Sequence, residues 1–517
     1  MQKSAEGIVT RAVGKASEAL QSRKAEQRIG RAGNDGRRPK RSPQGVDWRG
    51  QYGVQLVDDK RPKIQRELAF PAEERGEAPR AAGGGTEPTA AKHSPENLAS
   101  TASLMEEVCQ RSNLEEALRR VRANKGSPGI DGMTVEELPD HLRQHWLTIR
   151  DQLLGGTYAP QAVKRVEIPK GDGGVRKLGI PTVLDRFIQQ AVLQVLQGRW
   201  DRTFSEHSYG FRPGRSAHQA VAQAQAYVAE GYRWVVDIDL EKFFDRVNHD
   251  LLMGRVARRI ADKRLLKLLR AFLNAGVMEN GLVGPTDEGT PQGGPLSPIL
   301  SNLVLDDLDR ELEQRGHRFV RYADDCNIYV RSRRAGERVM TGIGRYLTTK
   351  LKLKVNESKS AVARPWERKF LGFSFTMHRE PKRRVAPKAL GRFKERVREL
   401  TCRTKSVSLG QMVKALGSYL LGWRGYFAFC ETPSVLQDLD SWVRRRLRCV
   451  VWKQWKHSRV RFAELRKRGV SKGLAAQSAG SGQGPWRLSR SPALSYALPN
   501  GYFDLLGLPK LAARPAV

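Results

Sequence analysis

The segment RYADDCNIYV, Arg321–Val330, sets Asp324 and Asp325 side by side in a chain that is otherwise strongly basic. Phe319, Val320 and Tyr322 surround the front of the pair, and Ile328, Tyr329 and Val330 follow it. Two β-prone runs flanking a short acidic centre predict a hairpin with the aspartates at or beside its tip. An Asp-Asp turn is commonplace by itself, so the pair signifies chemistry only if a partner exists.

The candidate partner is WVVDIDLEKFFDRVNHD, Trp234–Asp250. Trp234, Val235 and Val236 begin a buried strand, and Asp237, Ile238 and Asp239 continue its alternation. An acid at the end of a core strand is costly to bury unless it holds a cation or is hydrogen-bonded. Two like charges about 4 Å apart repel by roughly 4 kcal/mol at an effective dielectric near 20. A divalent metal reverses that sign. Oxygen-only ligands point to Mg²⁺ rather than zinc, and two such ions about 3.5–4 Å apart activate an attacking hydroxyl and stabilise a leaving phosphate oxygen. Either Asp237 or Asp239 would complete the set.

The composition names the substrate class. The 517 residues hold 91 Lys/Arg against 55 Asp/Glu, a formal charge of +36. Such an excess favours a polyanionic partner, nucleic acid before anionic membrane. Carboxylates in a polyanion-binding chain suggest phosphoryl transfer on nucleic acid. Cys109, Cys326, Cys402, Cys430 and Cys449 form no C-x-x-C pair, so neither a disulfide framework nor a zinc site is signalled. No apolar run reaches the roughly 18 residues of a membrane span, and the N-terminus lacks the apolar core of a secretory signal. A soluble protein of a reducing compartment is expected.

Residues 1–100, rich in Arg, Gly, Pro, Glu and Ala, carry few periodic apolar positions and are expected to be largely disordered. Residues 101–380 mix helical periods, short strands and Gly/Pro punctuation, which is an α+β texture. Within them Asn113–Val121 predicts an amphipathic helix. RVEIPKGDGGVRKLGIP, Arg165–Pro181, predicts a hairpin with a basic rim. Residues 381–470 hold 23 Lys/Arg against 6 Asp/Glu with apolar residues only at helical spacing, a separate all-α basic module. There Met412, Leu416, Tyr419, Leu420, Trp423, Tyr426 and Phe427 predict a helix core rather than stacking platforms, and Thr432-Pro433 opens the next helix. Residues 471–517 form a C-terminal segment.

These residues resemble a known family. YADD at Tyr322–Asp325, with DLEKFFD at Asp239–Asp245 before it, is similar to the palm of reverse transcriptases. NLEEALRRVRANKGSPGIDGMT, RVEIPKGDGGVRKLGIPTVLDRFIQQAV, HSYGFRPGRSAHQAV, EGTPQGGPLSPILSNLVLDDLD, LKLKVNESKS and KFLGFSF follow the order of that family's sequence blocks. The NKGSPGIDG and SYGFRPGRS blocks and the basic module resemble the group II intron-encoded reverse transcriptase/maturases of the endonuclease-lacking bacterial type.

The resemblance implies a right-hand polymerase architecture, fingers and palm with a catalytic β-hairpin, followed by an all-α thumb/maturase domain X. It makes Asp239, Asp324 and Asp325 the catalytic, metal-binding residues for two Mg²⁺ ions. It favours Asp239 over Asp237 because Phe244 then lies five positions on. A bulky ring there would collide with a ribose 2′-hydroxyl and select dNTPs. Lys170, Arg176 and Gln292 would contact the incoming nucleotide, Gly293 and Gly294 would let backbone approach the nascent pair, and Lys359 would protonate the departing pyrophosphate. Arg444, Arg445, Arg446 and Arg448 would contact RNA; a run of charges is otherwise a solvated face.

The implied function is an RNA-directed DNA polymerase and intron maturase. Its partners would be intron RNA, an RNA template, a DNA primer or target and dNTPs, with no membrane, in the bacterial cytoplasm. Past Arg379 the lone His457 and unpaired cysteines signal no endonuclease domain. The alternatives are a reverse transcriptase of a defence, diversity-generating or CRISPR-associated system, and a non-enzymatic splicing factor with a relic palm.

Overall fold

The computed structural model describes residues 101–169, 175–279, 282–284, 289, 293–402 and 407–512. The N-terminal hundred residues lie outside them. The strands, in chain order, are β1 (Val163–Pro169), β2 (Val175–Ile180), β3 (Trp234–Ile238), β4 (Val277–Glu279), β5 (Leu282–Gly284), β6 (Arg318–Tyr322), β7 (Asp325–Val330), β8 (Ala361–Ala363), β9 (Phe373–Phe375) and β10 (Arg383–Val385). The chain forms two compact units whose residues interleave, because Asn248–Ile299 belongs with the earlier part of the chain.

The first unit comprises residues 101–200 and 248–299. Its sheet runs β2-β1-β4-β5, with β1 antiparallel to β2 from Lys164↔Ile180 to Pro169↔Val175 and parallel to β4. The expected helix at Asn113–Val121 extends over Arg111–Asn124 and buries Leu114, Ala117, Leu118 and Val121, an i, i+3, i+4, i+7 stripe. The NKGSPGIDG loop is a backbone apposition: a Cβ on Gly129 would lie 2.6 Å from the Thr182 Cα. Thr182 opens the helix Val183–Trp200, whose buried Asp185 accepts hydrogen bonds from the Thr182 hydroxyl at 2.7 Å and the Tyr158 hydroxyl at 2.9 Å. Among the described residues no helix is long and apolar enough to cross a membrane.

The second unit, residues 201–247 with 300–512 of the described chain, is built on the antiparallel sheet β6-β7-β3-β8. Strand alternation divides its side chains between two covered faces. On one, Val235, Val320 and Tyr329 pack with Ala220, Val221, Ala224, Tyr227 and Val228 of the helix Ala217–Ala229. That helix starts in a capping box, Ser216 with Gln219. On the other lies the helix Arg333–Thr349, brought close at Gly336, where a Cβ would stand 2.5 Å from a Val362 methyl.

The basic module has its own core. Helices Pro387–Leu400, Leu409–Phe427 and Pro433–Gln454 bury Phe393, Leu416, Leu420, Trp423, Val443 and Leu447 together. Fully burying such a side chain contributes about 1.5–3 kcal/mol. The predicted aromatic stripe lies in this helix core, with Tyr419 and Phe427 packed at its margin and the Tyr426 hydroxyl donating to the Leu371 carbonyl at 2.7 Å. Leu488, Leu494, Leu498, Phe503, Leu508 and Leu511 belong to the same core, so the C-terminal segment completes the module rather than trailing from it.

Candidate active site

The site grows from a register. β3 and β7 pair antiparallel, with Asp237 opposite Asn327 and Ile238 opposite Cys326. Asp239 is the residue that follows β3 and Asp325 the one that precedes Cys326 on β7, so both acids lie at the same end of this strand pair, within electrostatic reach of each other. β6 and β7 close with Tyr322 opposite Asp325, so the hairpin loop is Ala323-Asp324. The two acids of the opening motif are thus the last loop residue and the first residue of β7. Ala323 takes the left-handed conformation, φ 57°, that two-residue hairpin loops require and that a residue with a Cβ resists.

The loop after β3 is held from the far end of the unit. Asp239 donates its N–H to Ser360 Oγ at 3.0 Å and accepts from the Asn356 N–H at 2.8 Å, while Glu241 N–H donates to the Lys354 carbonyl at 2.8 Å. This places Lys359 Nζ 3.8 Å from the Asp239 carboxylate, both side chains reaching solvent. Asp237 has a different neighbour. Its carboxylate is gripped by Arg368, with Nε at 2.8 Å and Nη2 at 2.6 Å, and Arg368 also donates to the Lys359 carbonyl. Burial raises the Asp237 carboxyl above the usual carboxylate range, against the pull of Arg368.

Asp325 is open to solvent at its edge, yet its environment is hostile to a second anion. Partial desolvation, then the charges of Asp324, Asp237 and Asp239, push its carboxyl up to about 7. Among the described residues no three His, Cys, Asp or Glu side chains are gathered tightly enough to hold a metal as they stand. The acids are within electrostatic reach, not at ligating distance. A set of carboxylates in which Asp324, Asp237 and Asp239 raise the proton affinity of Asp325 fits a hard divalent cation, which would relieve that repulsion.

The other expected residues fall variously. Phe243 is buried and Phe244 half-buried, with ring centroids 5.2 Å apart at 70°, so the first packs the core and the second reaches the surface of the DLEKFFD turn. Lys170 and Gln292 lie outside the described residues; Arg176 stands on β2 opposite Ile168, its side chain outside them as well. Gly293 and Gly294 have a reason within the protein: a Cβ on either would come 2.5 Å from the Gly179 carbonyl oxygen or from Gln189 Oε1.

The arginine row has partners inside the protein, and the burial of Arg444 departs from the expected RNA contact. Arg444 is buried and ion-pairs with Asp440 at 3.1 Å and Asp504 at 2.6 Å. Arg445 lies over the Trp486 ring, 3.8 Å from its centroid, and donates to the Trp486 carbonyl. Arg446 donates to Thr401, and Arg448 to the Leu498 carbonyl and the Asn500 amide oxygen. All four guanidinium groups bind internal acceptors, and those of Arg444, Arg445 and Arg448 reach the C-terminal segment; Arg444 is buried, whereas Arg445, Arg446 and Arg448 are half-buried. The residues that sequence reasoning missed are Arg368 and Ser360, which set Asp237 and Asp239, and Arg321, which the opening motif contains but whose burial nothing local signals.

A four-stranded antiparallel sheet carrying acids at one end, on a strand terminus and a facing hairpin tip, defines a polymerase palm of the reverse transcriptase class. Residues 168–375 match the family model for reverse transcriptase (RNA-dependent DNA polymerase), and residues 390–469 that for the group II intron, maturase-specific domain. The chain thus carries a reverse transcriptase domain followed by a group II intron maturase-specific domain, the features of a group II intron reverse transcriptase/maturase. It is 40% identical over 218 residues to protein YkfC of Escherichia coli K12, covering 41% of this chain and 57% of that one. It is 36% identical over 206 residues to the group II intron-encoded protein LtrA of Lactococcus lactis subsp. cremoris, covering 40% and 34%. The match therefore spans little more than half the length of one relative and a third of the other. A solved chain of a partial Cas6-RT-Cas1–Cas2 complex is 25% identical with a TM-score of 0.32, over 48% of this chain and 43% of that one.

Proposed function

We propose that this chain is an RNA-directed DNA polymerase that also serves as an intron maturase, binding group II intron RNA, promoting its splicing and copying it into DNA. The observation that carries the reading is the β3/β7 pairing, which closes at Ile238↔Cys326 with Asp239 and Asp325 the next residues on the two strands' paths, in a chain that also holds a maturase-specific domain. Asp239, Asp324 and Asp325 would hold Mg²⁺, two ions in the full site. The bound metal would lower the pKa of the primer 3′-hydroxyl and offset charge on the phosphates.

The chain's own side chains do the rest. Lys359, beside Asp239, is positioned to give a proton to the departing pyrophosphate. Asp237, committed to Arg368, orients the Lys359 loop instead of ligating. Phe244 meets the sugar edge of the nucleotide and excludes a 2′-hydroxyl, while Lys170, Arg176 and Gln292 engage the triphosphate and the nascent pair. The excess positive charge binds RNA template, intron RNA and DNA primer, in the bacterial cytoplasm.

The test is primer extension on an RNA template with dNTPs or rNTPs and Mg²⁺, alongside a splicing assay on the host intron RNA. Mg²⁺-dependent extension with dNTPs that vanishes in Asp324→Asn with Asp325→Asn, while assisted splicing persists, is the expected result. A folded wild-type protein that extends no primer overturns the polymerase half, and equal loss of both activities in the double variant overturns their separation.

A further inference from the structure

Arg321, three residues before Asp324, is fully buried, and all five of its guanidinium N–H groups have acceptors. Nε and Nη2 bind the two carboxylate oxygens of Asp309 at 2.7 and 2.6 Å. Nη2 also donates to Ser208 Oγ at 2.8 Å, and Nη1 donates to Asn302 Oδ1 at 3.0 Å and to the Ala323 carbonyl at 2.9 Å. Asn302 in turn donates to the Gly210 carbonyl at 2.9 Å. Gly210 presses on the hairpin loop so closely that a Cβ there would lie 2.2 Å from the Ala323 nitrogen.

Three separate sequence blocks therefore converge on one residue: Ser208 and Gly210 from SYGFRPGRS, Asn302 and Asp309 from the helix Ser297–Gln314, and the hairpin itself. A buried ion pair is weak evidence for stability, since an apolar pair of similar volume commonly serves as well. This one is aimed elsewhere. It ends on the carbonyl of Ala323, the residue whose left-handed backbone turns the loop and sets Asp324. A non-glycine residue persists in that region when its surroundings over-determine it.

We propose that Arg321 is a positioning residue for polymerisation: with Asp309, Asn302 and Gly210 it clamps the Ala323-Asp324 loop so that Asp324 and Asp325 stay registered against Asp239. The proposal deepens the polymerase reading and rests on it for its kinetic test. Arg321→Lys keeps the charge opposite Asp309 but offers three donors and no planar fork, so the loop contact is lost. In steady-state extension of a DNA primer on an RNA template, this variant should lose about 10- to 100-fold in kcat, with the KM for primer-template changed less than about threefold. Adding Ala323→Gly, which holds a positive φ unaided, should recover most of the loss. A residue needed only for stability would not be rescued in kcat by relaxing that one backbone position.

If Arg321→Lys does not fold, Asn302→Ala decides, because it leaves the ion pair and the Ala323 contact in place and removes one Nη1 acceptor together with the bridge to Gly210; about a three- to tenfold fall in kcat is expected. Wild-type kcat in either folded variant, or a loss untouched by Ala323→Gly, overturns the clamp. Hydrogen exchange reads it without polymerisation. The amides of residues 322–326 should exchange faster in the folded variant while those of the helix Ala217–Ala229 hold, and unchanged exchange at the tip overturns the clamp. A wild-type chain that extends no primer overturns the polymerase reading alone, leaving exchange to decide the clamp.

Discussion

Two charged clusters, the carboxylates at the end of the palm sheet and the arginines of the helix Pro433–Gln454, look alike in sequence and are opposite in structure. Each packs like charges within a few residues. The arginines find counter-partners inside the protein: Arg444 reaches Asp440 and Asp504, and Arg445, Arg446 and Arg448 find ring, hydroxyl and carbonyl acceptors. The carboxylates crowd one another. Asp237 is held by Arg368 and Asp239 stands 3.8 Å from Lys359 Nζ, while Asp325 has its carboxyl raised to about 7 by desolvation and three neighbouring acids. Charge that the fold has neutralised is architecture; charge that the fold concentrates is poised for something from outside.

The contrast can be broken experimentally. The largest effect should follow Asp324→Asn with Asp325→Asn, which is expected to lower cDNA synthesis by about a thousandfold or more while intron RNA affinity changes less than about threefold. Primer extension and filter binding on the same preparation measure both, and a parallel loss of RNA affinity would place those acids in the fold rather than in the chemistry. Next, Arg444→Met should destabilise the protein by about 2–4 kcal/mol, because it removes the buried cation shared by Asp440 and Asp504 and leaves Asp440 only its backbone donors. Urea unfolding followed by tryptophan fluorescence checks this; an unchanged midpoint would mean that the row is not structural.

Phe244→Ala should raise the use of rNTPs relative to dNTPs about tenfold or more, read from competing incorporations on one template, while leaving dNTP extension largely intact. The smallest effect sharpens the comparison at the thumb. Lys453→Gln with Lys456→Gln removes exposed cations and should flatten the dependence of log affinity on log salt by about one or two, whereas Arg445→Gln with Arg448→Gln should leave that slope unchanged. A flatter slope in the arginine variant would return those side chains to the RNA.

The hairpin at RYADDCNIYV was legible because alternation and turn position are local: the strand ends and the acidic loop fall where the pattern puts them. The choice between Asp237 and Asp239 was not local. They lie two residues apart, and only Arg368, 131 residues away, separates them by occupying Asp237. The internal partners of the arginine run were not local either. Charge suggested a solvated face, but Arg444 sits on the buried stripe of Leu436, Leu439, Val443, Leu447 and Val450, and the acid that completes its pairing, Asp504, is 60 residues on. A stricter reading of the helical period around Arg444 would have found the first half of that answer.

By itself the sequence determined what short-range chemistry writes: the α+β and all-α textures, the hairpin, the acid types that suit a hard cation, and the charge that suits nucleic acid. Only the tertiary structure decided which charges are paired. Placing Arg321 on Asp309, Arg368 on Asp237 and Arg444 on Asp504 requires strands and helices far apart in the chain to close on one another. Burial then sets the strength of each pairing, since a charge interacts according to the water and ions around it in space and not according to its neighbours along the chain.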